Sequence, residues 1–138
     1  MSLKKSLNIT ESIKWFSDGN ILAYPTEGVW GLGCNALDVS AYRSLFALKK
    51  RDTKNSFILL SRSLQSIKKY IQTLSLSDES LLNNTWPGPV TFVIKYNNAI
   101  PEHLKNDTGK LAFRVSNHYP IKALLKDFDG LFLSLIHI

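Results

Sequence analysis

Four groups in this sequence are of a kind that could hold a charged ligand. They are Thr26, just after a short apolar run; the basic cluster Lys49-Lys50-Arg51; Thr91, at the start of a second apolar run; and Arg114, inside a third. Guanidinium forks match the paired oxygens of carboxylates and phosphates, whereas a lysine ammonium acts as a point charge. Two hydroxyls and several cations could therefore hold a polyphosphate beside a small carboxylate. Arg114 is the sharpest signal, because it interrupts Leu111-Ala112-Phe113-Arg114-Val115. A guanidinium buried without a partner is costly, so this one must be paired or face a cleft. The basic cluster has a second explanation, since cations at a helix C-terminus gain about 0.3–1 kcal/mol each. Spacing alone does not bring the four groups together.

These groups need elements to position them. The chain is organised around Tyr24-Pro25-Thr26-Glu27-Gly28-Val29-Trp30-Gly31-Leu32-Gly33, which follows the apolar run Ile21-Leu22-Ala23. The run reads as a buried strand, and Pro25, lacking an N–H for the ladder, ends it. Gly28, Gly31 and Gly33 then allow either unusual backbone angles or close approach of another group. Neither GxGxxG nor GxxxxGK[ST] is present. A structural turn and a ligand loop both remain open for this stretch. Thr26 and Glu27 lie at a strand exit, where ligands tend to bind in open α/β sheets.

The sequence has 138 residues, 44% of them hydrophobic, with a formal net charge of +6. That is enough for one domain with a real core and argues against disorder. No apolar run approaches the roughly 20 residues of a membrane span, and the first residues lack a signal peptide's apolar core. A cytoplasmic protein without membrane association is expected. Cys34 is the only cysteine, which excludes an internal disulfide and a zinc site built from several thiolates. It reads as a small apolar residue packed behind the glycines rather than as a nucleophile. The positive charge suits a polyanion such as RNA or a nucleotide.

Asn8 or Thr10 can cap a first helix carrying Ile9, Ile13 and Phe16, and Gly19 can end it. Asp38 or Ser40 can cap a second helix running to about Lys50. Phe57 to Leu60 reads as a strand. Ser63 can cap a third helix carrying Leu64, Ile67 and Ile71, and Ser77 a fourth with Leu81 and Leu82 inward. Trp86-Pro87-Gly88-Pro89 forces a turn before the strand Val90–Ile94. Residues 96–109 form a polar connection in which His103 reads as a solvated loop residue. The strand Leu111–Val115, a last helix opened by Pro120 and a strand beginning at Leu131 complete the pattern. Alternating strands and helices predict a single α/β domain. The short link from Ile94 to Leu111 predicts some antiparallel pairing, hence a twisted mixed parallel/antiparallel sheet flanked by helices.

The motifs together resemble the YrdC-like family, the threonylcarbamoyl-AMP synthases that begin tRNA threonylcarbamoyladenosine synthesis. The resemblance is carried by Tyr24-Pro25-Thr26-Glu27, Trp30-Gly31-Leu32-Gly33, the K-x-R at Lys49–Arg51, Trp86-Pro87-Gly88-Pro89-Val90-Thr91-Phe92-Val93, and Ala112-Phe113-Arg114-Val115 followed by His118. It implies that threonine and bicarbonate form a carbamate, whose carboxylate attacks the α-phosphate of ATP and expels pyrophosphate. Carried over residue by residue, Thr26, Asn55 and Arg114 would bind threonine or the carbamate. Lys49, Arg51 and Thr91 would bind ATP, with Thr91 touching the nucleotide or the carbamate. No general base and no protein-bound metal is implied, and Mg²⁺ would arrive on ATP. Implied partners are L-threonine, bicarbonate, ATP, tRNA or double-stranded RNA, and downstream tRNA-modification proteins.

Gly28, Trp30 and Ser116 depart mildly from the family pattern. The end departs more. The family continues into a Ser-Thr-Ser-Ala-Asn-like segment that helps bind ATP, and Ser134 matches only its first serine. The expectation is a YrdC-like domain over residues 1–132, incomplete at its C-terminal end. Residues 133–138 would be a non-family, artefactual tail of the kind a transposon adapter encodes, in which His137 has no function. Weak or absent synthase activity of the chain as written follows from that expectation. Two other functions compete: a non-catalytic binding module for tRNA or double-stranded RNA, and a hydrolase using Cys34 or Thr26. The hydrolase lacks a sequence-local base.

Overall fold

The computed structural model describes residues 8–25, 30–49 and 57–137. Its elements, in chain order, are α1 (Ile9–Ser17), β1 (Leu22–Pro25), β2 (Trp30–Asn35), α2 (Val39–Lys49), β3 (Ile58–Leu60), α3 (Leu64–Ile67), α4 (Leu76–Thr85), β4 (Phe92–Lys95), β5 (Lys110–Arg114), α5 (Tyr119–Leu125) and β6 (Phe132–His137). Single 3₁₀ turns cover Lys68–Tyr70 and Glu102–Leu104.

Local signals start most of the helices. The Asn8 side chain accepts from the Glu11 N–H at 2.8 Å, and Glu11 returns a bond to the Asn8 N–H, a reciprocal cap for α1. Asp38 accepts from the Ala41 N–H at the start of α2, and Ser63 caps α3. The fourth helix begins earlier than the sequence suggests, because Ser75 rather than Ser77 holds the Asp78 N–H. The third is shorter. It tightens into the 3₁₀ turn at Lys68, and Ile71 leaves it to bridge Tyr96 beside β4.

Among the described residues, six strands lie in the order β1-β2-β6-β3-β5-β4. Only β3 and β5 pair parallel; the other contacts are antiparallel. This is the mixed sheet expected from the sequence. The strand missing from that expectation is β2, because two of its six residues, Gly31 and Gly33, are glycines with almost no strand preference of their own. β6 occupies the middle of the sheet, between β2 and β3, with Leu133, Ser134 and Leu135 buried.

The pleat divides the side chains between two faces. On one, Leu59, Leu111, Phe113, Leu133 and Leu135 pack with Ala41, Leu45 and Phe46 of α2, Ile67 of α3 and Leu82 of α4. On the other, Leu22, Tyr24, Leu60 and Phe132 pack with Phe16 of α1 and Ile121, Leu124 and Leu125 of α5. Both helices of this second layer sit over the β1–β3 side of the sheet. The β4–β5 edge stays open there, and Val93 keeps 66% of its surface exposed.

Candidate active site

Arg114 ends β5 and Thr91 immediately precedes β4, one step beyond the paired residues Phe92 and Phe113. Phe113 points into the core, so the pleat turns Arg114 to the opposite, partly open face. There its Nε donates to Thr91 Oγ1 at 2.8 Å. Both residues are half-buried. With Nε engaged, the terminal guanidinium nitrogens make no hydrogen bond among the described residues, which leaves a preset fork for two oxygens of a ligand.

On the same face of the sheet, Tyr24 of β1 and Ser134 of β6 are buried, and their hydroxyls hydrogen-bond to each other. Burial pushes the tyrosine pKa above its ordinary value. The bond to Ser134 and, more weakly, the positive charge of Arg114 pull the other way. Tyr24 therefore stays neutral. Gly31 makes room for its ring. A Cβ there would lie 2.8 Å from the tyrosine ring, so the side chain can lie flat on its neighbouring strand only over glycine. Gly33 does the same for the Phe132 ring and the Leu133 carbonyl. The glycine pattern left open between turn and ligand loop thus has, for these two, a third explanation: clearance within the sheet.

Of the six residues singled out as a site, the structure brings Thr91 and Arg114 together. Thr26, Arg51 and Asn55 lie outside the described residues. Lys49 is the last residue of α2, and its side chain is likewise not described. Tyr24 was legible as part of a motif, but its bond to Ser134 across the sheet was missed. The available signal was a tyrosine one step before a proline, with small residues following on the partner strand.

Cys34, weighed as a nucleophile, and His103 both have structural roles. Cys34 is fully buried, and burial, with help from the charge of Asp38, pushes its thiol up to about 12. It is no nucleophile at neutral pH. His103 is not the solvated loop residue expected. Its ring packs on Tyr42, with centroids 4.9 Å apart, and Nε2 donates to the Ala36 carbonyl at 2.7 Å. The 3₁₀ turn that carries it folds back onto the sheet through buried Leu104, which no local pattern announces. Among the described residues, no three His, Cys, Asp or Glu gather to hold a metal ion, and no helix is long and apolar enough to cross a membrane.

Fold and site define a class: a mixed-sheet α/β domain with one sheet face partly uncovered, presenting an arginine fork braced by a threonine. Known proteins share the fold. The Sua5, YciO and YrdC family profile, described as "Telomere recombination", matches residues 14–135. The threonylcarbamoyl-AMP synthase of Cellvibrio japonicus (strain Ueda107) is 40% identical over 112 residues, covering 81% of this chain and 59% of that protein. P. abyssi Sua5 complexed with L-threonine superposes with a TM-score of 0.82 at 25% identity, covering 96% of this chain and 40% of that one. E. coli YciO gives 0.77 at 25% identity, covering 92% and 62%. The chain belongs to the Sua5/YciO/YrdC family. It spans 59–66% of the length of the first curated relatives it matches.

Proposed function

We propose that the chain carries the amino-acid side of a threonylcarbamoyl-AMP synthase site, and that the Arg114–Thr91 pair binds the carboxylate of L-threonine or of its carbamate. The carrying observation is the 2.8 Å bond from Arg114 Nε to Thr91 Oγ1. It fixes the guanidinium plane and turns the remaining donors outward, as bidentate recognition of a carboxylate requires. The relatives' names and the threonine bound in P. abyssi Sua5 favour this reading over a non-catalytic RNA-binding module.

The reaction then runs in two balanced steps. The threonine amine condenses with bicarbonate and loses water, giving a carbamate. A carbamate oxygen attacks the α-phosphorus of ATP, the bond to the bridging oxygen breaks, and pyrophosphate departs with its electron pair. Thr26 and Asn55 line the threonine side. Lys49 and Arg51 hold the ATP phosphates and neutralise the charge that builds on the leaving pyrophosphate, and Thr91 also touches the nucleotide or carbamate. Mg²⁺ enters with the ATP phosphates. Catalysis consists of positioning and electrostatic stabilisation, with no side chain required as a general base. Within this reading tRNA, or the proteins that modify it, receives the product.

L-threonine titrated into the 138-residue chain tests the binding half: saturable binding is expected, lost on Arg114→Ala. Threonine- and bicarbonate-dependent release of pyrophosphate from ATP tests the chemical half. Threonine affinity unchanged by Arg114→Ala would remove the proposal's foundation.

A further inference from the structure

A pocket lies at the carboxyl end of β3, the same end at which Arg114 closes the parallel strand β5. The Lys49–Asn55 stretch precedes the amino end of that strand, whereas Ser61, Arg62 and Ser63 follow its carboxyl end. There, a cavity of about 340 Å³ opens between these residues, Ser116 after β5, Lys122 of α5 and Lys126, which caps the end of that helix. Its location is the crevice beyond the carboxyl ends of the parallel strands β3 and β5, where open α/β sheets tend to place ligands.

The lining is chemically one-sided. It contains three hydroxyls, three cations and no carboxylate, over an apolar floor of Ile121 and Leu125. Asp129 lies outside the lining and partly compensates Arg62, from whose Nη2 it is 3.2 Å away. Arg62 Nε also donates to Ser66 Oγ at 3.3 Å, which steadies the guanidinium. Lys122 and Lys126 have no ion pair among the described residues. They stand one helical turn apart, a like-charge spacing that costs a few tenths of a kcal/mol when nothing lies between. Two of the hydroxyls already donate within the protein, Ser61 Oγ to the Ser63 carbonyl and Ser63 Oγ to Ser66 Oγ, both at 3.2 Å. Ser116 Oγ accepts from the His118 N–H at 3.1 Å, so its own hydrogen is available to a ligand. Ser61 is held by its N–H donating to the Arg114 carbonyl at 3.2 Å.

We infer that this cavity binds a phosphate group, held by the Lys122–Lys126 pair and Arg62 with hydroxyl donation from Ser116, at a site separate from the Arg114–Thr91 fork. A single carboxylate would leave much of this donor set unused, whereas a phosphate presents three strong acceptor oxygens and up to two charges. Two sources share that chemistry, a free phosphate compound and the phosphodiester backbone of RNA.

The test uses the isotopically labelled 138-residue chain, titrated with inorganic phosphate and separately with a short oligouridylate while backbone amides are followed by NMR. Saturable shifts centred on Ser61, Ser63 and Ser116 are expected with at least one probe. The double variant Lys122→Gln, Lys126→Gln should weaken that binding about tenfold or more, the scale of losing one or two charge-assisted contacts. Arg114→Ala should leave it within about twofold on the same scale. Both lysines are exposed, so the double variant should keep the parent's thermal midpoint. Saturation by phosphate with no response to oligouridylate assigns the site to free phosphate compounds. Response to oligouridylate alone, steeply weakened by salt, assigns it to the RNA backbone. Non-saturating shifts with both probes overturn the inference. So does an Arg114→Ala loss as large as that of the lysine variant, which would put the phosphate at the fork instead.

Discussion

Arg114 does its proposed work through geometry more than charge. Arg114→Lys keeps the positive charge but loses both the bond to Thr91 and the planar fork, so threonine affinity should fall about tenfold or more. Calorimetric titration measures it, and an unchanged affinity would show that charge alone suffices. Gly31 and Gly33 make a second residue-level case. A Cβ on Gly33 would meet the Phe132 ring and lie 2.6 Å from the Leu133 carbonyl, whereas the nearest atoms to one on Gly31 belong to the Tyr24 side chain. Backbone yields less readily than a ring. Gly33→Ala should therefore destabilise by about 3 kcal/mol, at the upper end for overpacking, and Gly31→Ala by less. Denaturant midpoints give the order, and a milder Gly33→Ala would contradict the clearance argument. Cys34, sealed in the core with its thiol pushed up to about 12, should react with a disulfide reagent at pH 8 only as fast as the chain opens, and at full speed in denaturant.

Among the elements, α5 and the turn after it depend on a charged clasp. Asp129 accepts from Lys69 Nζ at 2.6 Å and from Ser66 Oγ at 2.7 Å, with Arg62 beside it. The clasp ties the end of the α5 segment to α3 and its 3₁₀ turn. The bonds from Lys69 and Ser66 lower the Asp129 carboxyl to about 2. A depressed carboxylate stabilises the fold above its unfolded value of 3.8, and the contribution is lost as pH falls through about 2. Asp129→Asn should thus lower the thermal midpoint at pH 7 and flatten its decline between pH 4 and pH 2. An unaltered acid limb would exclude the clasp as a contributor. The solvent exposure of these groups keeps the effect small. At the other end of the chain, Asn8→Ala removes the acceptor of the reciprocal cap and should cost about 1 kcal/mol.

At the scale of the whole molecule, the division between covered and open sheet surface makes the site. Helices α1 and α5 lie side by side over one half of a face, and the Arg114–Thr91 pair sits where their cover ends. The sequence by itself determined the kinds of element and most of their starts, because caps, apolar stripes and proline turns act within a few residues of one another. It also marked Arg114 as a residue needing a partner, since its cost arises from its immediate apolar neighbours. It did not reveal β2, whose glycines have no meaning until Tyr24 and Phe132 lie against them. Nor did it reveal the anchoring of His103, or that Thr91, 23 residues away, is the partner Arg114 needs. Those facts depend on strand register and pleat, which are set by hydrogen bonds between segments distant in sequence and by which face each apolar row can bury. Tertiary structure alone decided them.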